Sequence, residues 1–224
     1  MKPIRYLVLP VLLAACTVAA PPPAAVVVET GAAWYNQAAR SGKKIYAIDA
    51  AQSLITVTVR RGGALARFGH DHVIASRSVT GFVAPDAGRA DFHFRLDQMT
   101  VDEPALRTEA GLDTQPSADA IEGTRTNMLT RVLEAERYPV VQLHAERVRG
   151  NDKLLRLTVT LHGVARTLDV PVTIEQSKTS VTASGALRLL QSEFGITPMS
   201  VMGGAMVVQD PMELRFTIVA RARR

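Results

Sequence analysis

The sequence predicts an all-β fold, an extended antiparallel β-barrel with one inserted helix. Three observations carry this. Beyond residue 45, apolar and polar residues alternate in one segment after another. Short turns rich in Gly, Asn and Asp join these segments, so neighbours in sequence pair in space. A single stretch in the middle changes to helical spacing. Antiparallel strands with one buried face form a barrel or a sandwich, and closure into a barrel is favoured because it leaves no exposed strand edge.

The elements follow in order. "SLITVTVRR" places Ile55, Val57 and Val59 on one side. "RADFHFRLDQM" places Ala90, Phe92, Phe94 and Leu96 on one face and Asp91, His93, Arg95 and Asp97 on the other. Across residues 117–137, Ile121, Met128, Leu129, Val132 and Leu133 recur at helical spacing, which predicts one amphipathic helix ended by Tyr138-Pro139. "VVQLHAERV" then aligns Val141, Leu143 and Ala145, and "KLLRLTVTLHG" aligns Leu155, Leu157, Val159 and Leu161. In "RTLDVPVTIE" the inward set is Leu168, Val170, Val172 and Ile174; Pro171, on the opposite parity, predicts an edge, a bulge or a strand irregularity because it has no N–H to donate. Gly150-Asn151-Asp152 and His162-Gly163-Val164-Ala165 are the intervening turns. The last strands align Val181, Ala183, Gly185, Leu187 and Leu189, then Met212, Leu214, Phe216, Ile218 and Ala220, with Gly185 a candidate barrel corner. Residues 101–115 and 194–209 lack periodicity and are expected to be loops near an opening.

The N-terminus reads as an export signal: Lys2 and Arg5 precede an apolar run too short to span a bilayer. Leu13-Ala14-Ala15-Cys16 resembles a bacterial lipobox, which would make residues 1–15 a lipoprotein signal peptide and Cys16 the acylated N-terminus. Cys16 is the only cysteine, so the chain can form no internal disulfide. Residues 16–44, with Ala19-Ala20-Pro21-Pro22-Pro23, suit a semi-extended tether in which a short helix near residues 33–40 serves as spacing. Residues 45–224 have the length of one domain. By resemblance to lipoprotein sorting in Gram-negative bacteria, Thr17 after the cysteine implies the outer membrane, facing the periplasm. The net charge of +5 is spread among acidic residues without interleaved aromatics, which argues against nucleic acid. Arg221, Arg223 and Arg224 are expected to face lipid headgroups or, by preference, solvent.

The order of motifs resembles the YceI-like family. The resemblance rests on Tyr46-Ala47-Ile48-Asp49 with Ser53, Gly81-Phe82, Tyr138-Pro139, "LTVTLHGVARTLDVPV" from Leu157 to Val172, and "SEFGI" from Ser192 to Ile196. The family's basic-acidic pair in the helical region stands here as Arg125-Thr126-Asn127, without the acid. The resemblance implies a lipocalin-like barrel that holds a polyisoprenoid, an isoprenoid quinone or a similar amphiphile, without a required cofactor and with no established reaction. The inward stripes, with Phe92, Phe94, Leu143, Leu157 and Phe216 among them, would line such a cavity, although the same pattern would also fill a solid core.

The polar candidates lie in "FGHDHV". His70 and His72 point to the same side of an extended chain and could hold zinc or copper with one of His93, His144 or His162. The competing reading is a turn in which Gly69 takes positive φ, Asp71 accepts backbone N–H groups, and His70 and His72 sit over a headgroup. The chain has no Gly-x-Ser-x-Gly elbow, and Asp71 and His72, adjacent in a strand, face opposite ways, so binding is expected and catalysis is not. The expected partners are an amphiphilic small molecule or lipid and, through the anchor, the membrane, with a homodimer left open.

Overall fold

The computed structural model describes residues 29–112 and 114–222. The signal segment, Cys16, the proline-rich stretch, Arg223 and Arg224 lie outside them.

The described chain opens with helix α1, Glu29–Arg40. This helix is not a spacer in a free tether: Tyr35 and Ala38 are buried against Ile45 and Ala84, with Trp34 and Phe82 at the margin. One aromatic anchor and small alanines let the helix lie close to the sheet, so the packed structure begins before residue 45.

The strands are β1 Tyr46–Ile48, β2 Leu54–Gly62, β3 His72–Ser76, β4 Thr80–Ala84, β5 Arg89–Arg95 and β6 Thr100–Val101. After helices α2, Pro104–Glu109, and α3, Ala118–Asn127, come β7 Val140–Arg147, β8 Leu154–Leu161, β9 Val164–Gln176, β10 Ser180–Leu190, β11 Ser200–Val201 and β12 Met206–Ala222. Every pairing is antiparallel, and β1, β4, β5, β7, β8, β9, β10 and β12 close into a ring. Strand β12 makes closure possible. One edge pairs with β10 from Pro211 to Arg221, while the other pairs first with β2 and then, at Ala220–Ala222, with β1. The register with β2 shifts between Val208 and Met212, a segment that contains Pro211, which has no N–H for a ladder bond. Strands β2, β3 and β6 continue the sheet from this lower part of β12.

The inward parity of each long strand is the apolar one, and these residues form one continuous cluster running from Ile55 through Phe94, Val141, Leu157 and Val172 to Ile218. The resemblance motifs fasten the barrel together. Ser53 is buried; its hydroxyl donates to the Asp49 carbonyl (2.8 Å) and accepts from the Val219 N–H (3.0 Å), tying the β1–β2 junction to β12. His162 and Gly163, both at positive φ, form a two-residue hairpin turn between β8 and β9. Tyr138 packs on this turn with its ring 4.5 Å from His162, and a side chain at Gly163 would meet it at 2.8 Å. His162 Nδ1 lies 3.3 Å from the carbonyl of Phe194, itself wholly buried.

Several expectations need correction. The helical stretch runs only to Val132: α3, N-capped by the Ser117 hydroxyl, passes into a wider π-turn over Met128–Val132, and Glu134 at positive φ ends it. Residues 101–115 contain the end of β6 and the whole of α2, and residues 194–209 contain β11 and the start of β12. These elements are too short or too irregular to leave a period in the sequence. Gly69 is extended (φ −98°, ψ −178°) and does not take positive φ. Pro171 meets its expectation: it is exposed inside β9, where β9 stops pairing with β10, so the missing N–H is tolerated at a strand irregularity. Gly185 is a point of close approach: an added Cβ would lie 2.7 Å from the Pro171 carbonyl and 2.8 Å from the Phe216 ring.

Candidate functional site

The barrel is not filled. Its interior holds a cavity of about 360 Å³ lined almost wholly by the inward side chains of β2, β5, β7, β8, β9, β10 and β12. This volume falls in the range of pockets that take small organic ligands. Polar groups enter the lining mainly near the ends: Arg89, Arg147 and Gln176 near α1, and His72, Thr124, Asn127 and Gln191 toward the opposite end. There α3 and the following turn bring Met128, Val132 and Leu133 over the barrel.

Of the residues singled out from sequence, His72, Phe92, Phe94, Leu143, Leu157 and Phe216 line this cavity; His70 does not. His70 lies just before β3, half-buried, with its ring centroid 6.1 Å from that of His72. Burial, aided by neighbouring His72 and Arg107, lowers the pKa of its imidazole. Asp71 turns away from both histidines, accepts the Arg61 N–H (2.8 Å) and faces Arg60.

His72 is the organised member. Its Nδ1 is 2.6 Å from Asp102 Oδ2, and Asp102 Oδ1 accepts from Arg107 Nη1 (2.6 Å) and the Val73 N–H (3.0 Å). The side chains of Asp102 and Arg107 are 0% and 1% exposed, so this is a buried charge pair with an imidazole at its cavity end. Arg107 also donates to the carbonyls of Asp71 (2.8 Å) and Thr114, which satisfies its remaining donors. Burial works to raise the Asp102 carboxyl, but the hydrogen bonds from His72, Val73 and Arg107 prevail and hold it below the usual carboxylate range. Asp102 adopts φ +57°, a conformation that aspartate tolerates better than most residues. Sequence reading missed both Asp102 and Arg107; the Asp-Glu-Pro start of α2 is a helix-entry signal that conceals their partnership with a histidine 30 positions earlier.

The histidines considered as third metal ligands are elsewhere. His93 lies on the opposite parity of β5 from the cavity-lining Phe92 and Phe94, with its pKa lowered by burial. His144 pairs with Asp91, and His162 belongs to the β8–β9 turn. Among the described residues no group of three or more His, Cys, Asp or Glu is placed to hold a metal ion. Arg125 donates to the Asp97 carbonyl (2.7 Å), fastening α3 to the turn after β5.

The family model described as "YceI-like domain" matches residues 46–220. No curated protein matches the chain. Among solved structures, a polyisoprenoid binding domain from Saccharophagus degradans, implicated in plant cell wall breakdown, aligns with TM-score 0.58 at 14% identity over 80% of this chain and 98% of its own. BcnA of Burkholderia cenocepacia aligns with TM-score 0.51 at 17% identity over 77% of this chain and 98% of its own. At these identities the likeness is one of fold.

Proposed function

The chain belongs to the YceI-like family, and from that premise we propose that it is an envelope-anchored binding protein whose barrel holds the tail of a polyisoprenoid, an isoprenoid quinone or a similar amphiphile. The observation that carries this reading is the cavity: about 360 Å³ of space, apolar along the barrel and polar toward its ends. A packed core would bring the inward side chains into mutual contact, because interiors pack at crystal-like density and leave few voids larger than a water. Apolar walls favour an isoprenoid chain through burial of its methyl and methylene groups, at about 0.8 kcal/mol per buried CH₂. The polyisoprenoid-binding description of the Saccharophagus degradans domain agrees in ligand class.

In this reading the protein carries or sequesters its ligand and performs no reaction on it. Acylated Cys16 would keep the barrel at the outer membrane, and the barrel would work without a cofactor. Filling the cavity tests the proposal. Ala183 lines it from β10, and Ala183→Trp should abolish uptake of a long-chain isoprenoid, measured by fluorescence competition, while leaving the thermal transition cooperative. Unchanged uptake in a folded Ala183→Trp protein would place binding outside the barrel.

A further inference from the structure

We infer that His72 makes the cavity selective for amphiphiles whose head carries an O–H donor, such as a prenol, a phenol or a quinol. The inference rests on the cavity being the binding site. Although Asp102 is fully buried, its pairing with Arg107 and the Val73 N–H that it accepts keep it an ionised, acceptor-only carboxylate. Its 2.6 Å contact with His72 Nδ1 therefore places a proton on Nδ1. In the neutral ring this leaves Nε2 as a lone pair directed toward the cavity, just as the partner of one ring nitrogen sets the role of the other in any imidazole.

Among the described residues, the surrounding groups offer that lone pair no strong donor. Thr124 Oγ is 3.5 Å away, and its single proton is donated along α3 to the Ala120 carbonyl at 2.8 Å. Thr124 thus presents oxygen lone pairs to the same space. Asn127, one turn further along α3, lines the cavity beside it and supplies an amide that can donate to a ligand oxygen. Arg107 cannot act as an anion anchor here, because its guanidinium is committed to Asp102, Thr114 and Asp71. A hydroxyl fits this arrangement: its proton goes to Nε2 and its oxygen accepts from the Asn127 amide. A methyl ether or ketone would bring a second acceptor against Nε2, and a diphosphate would bring two or three negative charges against that lone pair and the Thr124 oxygen, with Arg107 already committed.

Three probes sharing one chain test this at pH 8.5: geranylgeraniol, its methyl ether and geranylgeranyl diphosphate. The alcohol should bind about tenfold more tightly than the ether, as expected for one buried hydrogen bond, and more tightly than the diphosphate. In His72→Phe the gap between alcohol and ether should close, the alcohol losing more affinity than the ether. Ring ¹⁵N spectra of labelled wild type supply a readout that needs no variant: the Nε2 resonance should shift with the alcohol and not with the ether. Equal affinities in wild type, tightest binding of the diphosphate, or a gap that survives in His72→Phe would each overturn the assignment while leaving the cavity reading standing. Failure of all three probes to bind would remove both.

Discussion

Asp102 shows how far a single side chain can be from its meaning in the sequence. In "HDH" the neighbours of an extended chain point apart, so Asp71 serves Arg61 and a carboxylate from beyond β6 serves His72. The buried Asp102–Arg107 pair also fixes an energetic expectation. Arg107→Leu should destabilise the protein by about 3–5 kcal/mol at neutral pH in urea unfolding, because breaking a buried pair leaves an uncompensated charge. The same groups set the acid limb. With the Asp102 and Asp91 carboxyls below their usual range in the folded state, their contribution is fully present above the unfolded value near pH 4 and is lost as pH falls through the lower folded values. Urea midpoints from wild type should therefore show no Asp102- or Asp91-dependent loss between pH 7 and about 5, and decline below about pH 4.

At the scale of elements, period-two alternation made the long strands legible, and every inward stripe read from β2, β5, β7 and β8 lies along the cavity. Alternation reports which face is buried and is silent on what covers it, so helix α1 escaped notice as a packed element. Its attachment depends on Tyr35, whose hydroxyl donates to Asp91 (2.8 Å). Burial and the adjacent carboxylate push that phenol well above its ordinary pKa. Asp91 also accepts from Arg89 (2.7 Å) and faces His144 Nδ1 (2.6 Å), making it the hub that joins α1, β5 and β7. Tyr35→Ala should cost about 3–5 kcal/mol if unfolding is global, as for other buried aromatic truncations. Hydrogen exchange should show faster exchange in β4, against which the helix lies, than in β8, on the far wall; equal protection in both strands would mean that α1 adds nothing to the sheet beneath it.

For the molecule as a whole, strand sequence alone could not distinguish a hollow barrel from a solid one. Leu, Val, Ile and Phe on an inward face satisfy either, and the difference lies in the ring's circumference, set by the pairing of β12 with both β10 and β1. The shape of the cavity places apolar walls between polar ends, an arrangement suited to a molecule with a long tail and a small head. The most direct measurement is mass spectrometry of the organic extract of full-length protein purified from its native envelope. The account predicts one long-chain isoprenoid amphiphile at near-equimolar amount, absent from Ala183→Trp protein purified in the same way. An extract without such a lipid, or one equally abundant in the filled variant, would contradict it.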